Sequence, residues 1–235
     1  MANGREVVAD RLLDAQEVER TFELLRDAMG GDMANAKGPK GQPDAFRSCI
    51  ACMLSAQSRD SNTAKATRAL FRLAETPQAM LALDDATLID AIRPAGLYNN
   101  KAKAIRKFCR QLIDDHDGHV PDTRQGLLSM HGIGRKCADI VLAFTFGGDA
   151  IAVDTHVGRV CERTGLALGS TEAKIAEALD ERAPDWVKPE GHFWLIRFGK
   201  RVCTGRAPKC ADCFLASLCR YPDKRLRRAG ESAEA

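Results

Sequence analysis

Apolar residues recur every three or four positions along most of this chain, which is the pattern of amphipathic α-helices. The first such segment covers residues 10–29, and Gly30 and Gly31 end it. Ten further helices are predicted at residues 46–57, 61–74, 77–83, 86–92, 101–116, 124–130, 135–146, 156–164, 173–183 and 192–202. Asp60, Ser170 and Thr171 are candidate N-caps. No Asn-Gly hairpin separates alternating segments, so an all-α fold is predicted.

Length and composition agree with one globular unit or two small packed lobes. The chain has 235 residues, of which 45% are hydrophobic, 29% charged and only 6% aromatic. Scarce aromatic residues favour helices over a sandwich of strands. Glycine and proline mark residues 34–44 as a connecting segment, and the last residues, 227–235, are expected to be a disordered tail.

The charge is nearly balanced, with 35 Lys and Arg against 32 Asp and Glu, but its distribution is uneven. Residues 200–228 contain nine basic residues and two acidic ones. The N-terminal sequence lacks an apolar stretch of the length found in signal peptides, and no apolar stretch would span a membrane. We therefore expect a cytoplasmic protein with its basic excess near the C-terminus.

Nine cysteines in such a protein indicate metal binding rather than a disulfide framework. Cys203, Cys210, Cys213 and Cys219 follow the spacing C-x6-C-x2-C-x5-C. Four thiolates in one short segment can hold zinc or an iron–sulfur cluster, and the uneven loops favour the cluster. The other cysteines lie in apolar helical segments and are predicted to be core residues: Cys49, Cys52, Cys109, Cys137 and Cys161.

A short predicted helix leads into Gly132-Ile133-Gly134, and the next helix begins at once. Two glycines allow close approach of a phosphate, and the N–H groups that open the second helix point towards that anion. Such a hairpin binds nucleic acid without reading sequence, although a simple glycine-capped turn gives the same pattern. Lys136 lies in the first turn of the new helix. Asp154 precedes a later helix, as an N-cap or as a functional carboxylate.

The chain resembles the helix-hairpin-helix DNA glycosylases, and most closely their endonuclease III branch. The matching segments occur in the family's order over about seven tenths of the chain, from Leu54 to Cys219. They are Leu54-Ser55-Ala56-Gln57, Gly96-Leu97-Tyr98-Asn99-Asn100-Lys101-Ala102, Gly132-Ile133-Gly134-Arg135-Lys136, Ala152-Val153-Asp154-Thr155-His156, Arg159-Val160-Cys161 and the four-cysteine segment.

The resemblance implies two helical lobes with a DNA groove between them. Residues 38–148 would form a six-helix barrel that contains the helix-hairpin-helix at about 125–146. Residues 1–37 and 149–235 would form an iron–sulfur domain, whose cluster loop is 203–219. The four cysteines of that loop would hold a 4Fe-4S cluster. Lys136 would be the nucleophile and Asp154 its catalytic partner.

The function implied is base excision repair of double-stranded DNA by a monomeric, nucleoid-associated enzyme. The enzyme would remove oxidised pyrimidines and nick abasic sites by β-elimination through a lysine imine. Gln57 and Leu97 would fill the space left by the flipped base. Alternatively, Gln57 is a polar residue within a helix and Leu97 is a core leucine. Arg206 and Lys209 would contact phosphates, unless their loop is simply solvated. Further DNA contacts are implied for Tyr98, Asn99, Gly132, Gly134, Arg135 and His156.

Three residues depart from the family's pattern. His131 stands where proline is usual before the hairpin, Asp139 stands where this branch commonly has asparagine, and Cys137 stands where a hydroxyl residue is common. Because residues three apart are neighbours on a helix, Asp139 is expected to approach Lys136 and slow the imine chemistry. Two other functions stay open: an adenine mismatch glycosylase, although that branch lacks the lysine and has an extra C-terminal domain, and a non-catalytic DNA-binding protein.

Overall fold

The computed structural model describes residues 11–30, 44–188 and 190–226. Within these ranges there are eleven α-helices, three short 3-10 helices and no strand, which confirms the predicted all-α class. None of the described helices is long and apolar enough to cross a bilayer. The helices are α1 (Ala15–Met29), α2 (Ala45–Ser55), α3 (Asp60–Phe71), α4 (Pro77–Ala82), α5 (Asp85–Ile92), α6 (Tyr98–His116), α7 (Arg124–Ser129), α8 (Arg135–Thr145), α9 (Thr155–Thr164), α10 (Glu172–Arg182) and α11 (Gly191–Arg201). The 3-10 helices are Arg93–Ala95, Asp185–Val187 and Cys210–Asp212.

Capping side chains explain where several helices begin. Helix α1 starts later than predicted because Asp14 caps it in a reciprocal pair of hydrogen bonds with Glu17. Thr171 caps α10 as predicted. The expectation that Asp60 is an N-cap is wrong, because Asp60 is already the first helical residue and Arg59 occupies the cap position. An acidic residue in the first turn still complements the helix dipole.

The described residues divide into two compact units. Residues 44–148 form one unit, and residues 11–30, 149–188 and 190–226 form the other. Helix α1 therefore folds with the C-terminal part of the chain. Most of the predicted linker and the whole predicted tail, 227–235, lie outside the described residues.

The core of the unit 44–148 receives apolar side chains from all seven of its helices. Phe46 on α2 stacks on Phe108 of α6, with ring centroids 6.2 Å apart. Cys49, Cys52 and Cys109 are buried, as predicted. Cys137, which was also expected in the core, is only partly buried and packs against the core's edge.

The second unit has its own core, in which α1 packs against helices from the C-terminal part of the chain. Phe22 and Leu25 of α1 share one buried cluster with Phe198 of α11 and with Cys161, another predicted core cysteine. An ion pair of 2.6 Å between Glu17 and Arg220 joins α1 to the segment after the cysteine loop. These contacts fix the base from which that loop extends.

Candidate active site and metal centre

A tight hairpin connects α7 to α8 through Gly132, Ile133 and Gly134. Gly132 has a left-handed backbone, with φ of 82°, and a Cβ there would lie 2.8 Å from Met53 Cε. Ile133 is buried in the core and anchors the turn. Gly134 is the N-cap of α8, and a Cβ at this position would face open space. A phosphate can therefore approach the first N–H groups of α8 without meeting a side chain at Gly134.

Lys136 is the second residue of α8 and is partly exposed. The helix that carries it is fixed from the opposite face, where Ala138 and Val141 are completely buried. At its far end, Thr145 Oγ1 donates a hydrogen bond of 3.0 Å to Ser48 Oγ on α2. The lysine backbone is thus held in place while its side chain keeps access to solvent.

Asp139 lies one turn after Lys136, and its side chain is completely buried. Its Oδ1 accepts a hydrogen bond of 2.8 Å from Arg124 Nε, and its Oδ2 accepts one of 2.7 Å from Arg135 Nε. Because Arg124 begins α7 and Arg135 begins α8, this carboxylate ties together the two helices of the hairpin. Arginines inside the fold thus engage both oxygens of Asp139, and these contacts do not test the predicted effect of Asp139 on the Lys136 amine.

The same ion pair limits what Arg135 can do for DNA. Its side chain is 15% exposed and its Nε is bound to Asp139. A contact from the Arg135 backbone N–H stays a prediction. The exposed His131, which replaces the usual proline, uses its backbone N–H to donate a hydrogen bond of 2.8 Å to Gln111 Oε1. The departure from proline therefore adds a hydrogen bond between the hairpin and α6.

Asp154 is the N-cap of α9 in the second unit. Its Oδ1 accepts hydrogen bonds of 2.9 Å from the backbone N–H groups of His156 and Val157. Ala152, two positions before Asp154, is also fixed, because its carbonyl oxygen lies 2.8 Å from His192 Nδ1. The cap requires only Oδ1, so Oδ2 of this partly exposed carboxylate can serve another partner. The cap is confirmed, and a chemical role for the second oxygen stays a prediction.

The predicted DNA contact His156 is partly buried beside an arginine that sequence reasoning missed. Arg159 Nη2 lies 3.2 Å from His156 Nδ1. Arg159 also donates hydrogen bonds to Cys203 O at 3.0 Å and to Gly199 O at 2.8 Å. Arg159 thereby connects α9 with the first residue of the cysteine loop. The Arg159-Val160-Cys161 segment is one of those that match the family, but the sequence pattern did not indicate the hydrogen bond from Arg159 to Cys203.

Gln57 and Leu97 share an unusual backbone conformation at two exposed turns. Their φ values are 52° and 49°, in the left-handed region that costs a non-glycine residue about 1–2 kcal/mol. Leu97 is 54% exposed, so it is not the core leucine that the alternative interpretation required. Gln57 lies beyond the end of α2, so it is not a residue within that helix. Strain at exposed residues that the core does not require is typical of functional sites.

The two residues after Leu97 open helix α6. Tyr98 is partly buried, and the guanidinium of Arg93 lies 5.4 Å from the centre of its ring. Asn99 is exposed in the first turn. Both are on the same unit and the same turn as Leu97, so the structure brings these three predicted contacts together.

The four predicted ligands line one pocket. Cys203 follows α11, Cys210 begins a 3-10 helix, and Cys213 and Cys219 lie in the segment after it. Burial raises the pKa of the Cys213 and Cys219 thiols, and the neighbouring cysteines raise both values further. The four thiols are therefore close enough to influence one another.

Arg163 supports this loop, although sequence reasoning did not identify it. It donates hydrogen bonds of 2.8 Å to Thr204 O and 3.0 Å to Gly205 O. Its Nη1 lies 3.7 Å from Cys203 Sγ, and its guanidinium lies 4.7 Å from the centre of the Tyr221 ring. Arg163 therefore ties α9 to the start of the loop that carries the predicted ligands.

The four thiols at one pocket are a donor set that suits both candidate metal centres. Within the described part of the chain, no group of three or more His, Cys, Asp or Glu side chains lies close enough together to hold a single metal ion. Zinc takes four cysteine ligands around one ion, and a 4Fe-4S cluster is held by four cysteine thiolates. The chemistry of the donors therefore fits a 4Fe-4S cluster, and zinc stays the alternative.

The loop between the first two cysteines presents basic side chains to solvent. Arg206 and Lys209 are both exposed. The backbone that carries them is fixed, because Lys209 N donates to Val202 O at 3.0 Å and Thr204 Oγ1 donates to Ala207 O at 2.7 Å. Ordered backbone with exposed basic side chains suits phosphate binding, which stays a prediction for these two residues.

Comparison with known proteins identifies the family. Residues 50–185 match the model of the HhH-GPD superfamily base excision DNA repair protein. Over 179 residues, 76% of this chain and 85% of the relative, the sequence is 45% identical to endonuclease III of Haemophilus influenzae. The corresponding identity to endonuclease III of Bacillus subtilis is 36%, over 89% of this chain and 96% of the relative.

Solved structures agree with the sequence relatives. The fold is similar to that of a trapped endonuclease III–DNA covalent intermediate, with a TM-score of 0.81 and 34% identity, over 92% of this chain and 100% of the other. A non-covalent endonuclease III–DNA complex matches with a TM-score of 0.79 over 89% and 96% of the two chains. The chain therefore belongs to the HhH-GPD superfamily of base excision DNA repair proteins, in its endonuclease III branch.

Proposed function

We propose that this protein is a DNA glycosylase and abasic-site lyase whose nucleophile is Lys136. The observation that carries the proposal is the position of Lys136, in the first turn of the helix that follows the Gly132-Ile133-Gly134 hairpin. The chain has this lysine in a fold similar to that of an endonuclease III trapped covalently on DNA. An amine on a fixed helix beside a phosphate-binding turn is oriented for attack on a sugar.

The reaction begins after the damaged nucleotide has left the base stack. The Lys136 amine attacks the sugar carbon C1′ and displaces the base, which leaves with the bonding electrons and takes up a proton. Ring opening gives an imine between Lys136 and the sugar. The imine acidifies the neighbouring C2′ proton, and loss of that proton expels the 3′ phosphate. Water then hydrolyses the imine and restores the amine.

Asp154 is proposed to stabilise the positive charge that develops on the sugar and to move protons. Its Oδ1 is committed to capping α9, and the cap fixes the orientation of the whole carboxylate. The second oxygen, Oδ2, is the atom that would face the reacting sugar. A fixed carboxylate needs no reorientation when charge develops in the transition state.

DNA binding is assigned to three groups of residues. The hairpin glycines and the N–H groups at the start of α8 would hold a phosphate of the lesion strand. Gln57 and Leu97 would enter the space that the extruded base leaves, with Tyr98 and Asn99 beside them. Arg206, Lys209 and His156 would contact the backbone from the second unit, which adds affinity but no sequence preference.

The proposed substrates are oxidised pyrimidines and abasic sites. The protein is proposed to act as a monomer on chromosomal DNA in the cytoplasm. Endonuclease III proteins generally contain an iron–sulfur cluster. Cys203, Cys210, Cys213 and Cys219 would hold a 4Fe-4S cluster in this chain. The cluster would stabilise the loop that carries Arg206 and Lys209, because the cluster-bound thiolates of Cys203 and Cys210 would fix the loop's two ends.

The test uses two duplexes, one with a single thymine glycol and one with a single abasic site. Wild-type protein is expected to nick both, and Lys136→Gln is expected to nick neither. Nicking of the abasic duplex alone would contradict the pyrimidine specificity. Release of adenine from a mismatch without nicking would indicate a mismatch glycosylase, and binding without reaction would indicate a DNA-binding protein.

A further inference from the structure

Lys101 is a buried charge that the proposed chemistry does not use. It lies in the first turns of α6 and is only 7% exposed. Burial lowers its pKa, because the charged form loses hydration. Within the described residues no carboxylate lies within ion-pair distance of its amine. A charge kept in such a position requires other partners.

The partners of Lys101 are two backbone carbonyls from separate segments. Its Nζ donates a hydrogen bond of 2.7 Å to Leu54 O and one of 3.0 Å to Ala95 O. Both acceptor residues are buried. Leu54 lies in the last turn of α2 and Ala95 ends the 3-10 helix before α6. Helix ends leave carbonyls without partners inside the helix and favour a cation, so one ammonium satisfies two helix ends at once.

Each of these helix ends leads directly to one of the two strained, exposed residues. Gln57 follows Leu54 by three positions, and Leu97 follows Ala95 by two. The backbone N–H of Lys101 also donates to Leu97 O at 3.0 Å. Lys101 therefore contacts the supports of both turns and is itself covered by the core.

We infer that Lys101 is a positioning residue that sets the relative placement of Gln57 and Leu97, the two side chains proposed to enter the DNA stack. The inference rests on the proposed function. Through one buried amine, the chain couples two turns that are distant in sequence. Whether the Gln57 and Leu97 side chains can both enter the DNA stack at one extruded base therefore depends on Lys101, although Lys101 does not touch DNA.

The test compares Lys101→Met with Lys107→Met, which removes the same charge from an exposed position of the same helix. The readouts are dissociation constants for an abasic-site duplex and for an undamaged duplex, and 2-aminopurine fluorescence opposite the lesion as a measure of unstacking. We expect Lys101→Met to lose about tenfold or more of the preference for the abasic duplex, since misplacement by about 1 Å can cost about a hundredfold. Undamaged DNA should bind as before, and Lys107→Met should match wild type.

A folded Lys101→Met protein that keeps the wild-type preference within about twofold, well under the tenfold that 1.4 kcal/mol represents, would overturn the inference. Equal weakening on both duplexes would overturn it too, because that result indicates a general loss of structure. If Lys101→Met does not fold, Lys101→Arg provides the test: it keeps the charge and the donors but moves them, and it should show a smaller loss of preference. An unchanged preference in Lys101→Arg would contradict the inference.

The behaviour of the wild-type protein distinguishes failure of the proposed function from failure of this inference. Wild-type protein that shows no preference for the abasic duplex and forms no nick would overturn the proposed function and this inference together. A wild-type protein that nicks the abasic duplex, combined with an unchanged preference in Lys101→Met, would overturn the inference alone.

Discussion

Replacing Asp139 by Asn should destabilise the protein without accelerating its chemistry. The carboxylate is 0% exposed and accepts from Arg124 and Arg135, whose side chains are 33% and 15% exposed. Asn keeps one acceptor oxygen, but it turns an N–H group towards a guanidinium and removes the negative charge. A hydrogen bond to a charged group contributes about 1.5–3 kcal/mol, and partial exposure of Arg124 reduces the loss.

We therefore expect Asp139→Asn to lower the free energy of unfolding by about 2–3 kcal/mol, which corresponds to about 4–12 °C in Tm for a chain of this size. Thermal unfolding followed by circular dichroism measures the shift. Asp115→Asn is the matched control, because Asp115 is an exposed carboxylate of the same unit and should change stability by less than about 0.5 kcal/mol. A Tm for Asp139→Asn equal to that of the control would refute the reasoning.

The same variant tests the role of Asp139 in catalysis. Because Arg124 and Arg135 engage both of its oxygens, we expect that the carboxylate does not slow the reaction of the Lys136 amine. The single-turnover lyase rate of Asp139→Asn should therefore not exceed the wild-type rate. A faster variant would show instead that Asp139 slows the reaction of the Lys136 amine.

Three further predictions follow from contacts in the structure. Asp154→Asn should keep the helix cap and the Tm, but its lyase rate should fall about a hundredfold or more. Asp154→Ala should lose the same activity and, in addition, about 1 kcal/mol of stability. Equal Tm values for the two variants would argue against the cap. Brief iodoacetamide treatment near neutral pH, read by peptide mass spectrometry, should modify Cys137 before Cys49 and Cys109. A thiol hydrogen bond lowers the pKa of the partly exposed Cys137, while burial raises those of the other two to about 12. Cys210→Ser should abolish the brown colour and reduce bound iron, whereas Cys109→Ala should keep both, and a colourless wild-type protein that contains zinc would contradict the cluster.

Features that depend on neighbouring residues in sequence were predictable, and features that depend on distant contacts were not. Helical periodicity and the Gly132-Ile133-Gly134 pattern predicted the elements and the turn. Arg135 lies at the i,i+4 helix spacing from Asp139, but Arg124 is 15 positions from Asp139 and Leu54 is 47 positions from Lys101, so no spacing rule indicated these two partners. The spacing along its helix indicated Lys136 as a neighbour of Asp139, and only the fold revealed the contact with Arg124.

The position of Cys137 shows a second limit of sequence reasoning. Its apolar neighbours predicted a core residue, but the edge of a core and its centre give the same local pattern. Which side chain reaches solvent depends on how α8 packs against α2, and only the three-dimensional structure contains that information.

Borohydride trapping followed by peptide mass spectrometry would show directly whether Lys136 forms the covalent bond to DNA. Borohydride reduces the imine to a stable amine, so the modified residue can be located after proteolysis. We predict one adduct, on the peptide that contains Lys136, for both the thymine glycol duplex and the abasic duplex. An adduct on another lysine, on the N-terminal amine, or on no residue while nicking continues would contradict it.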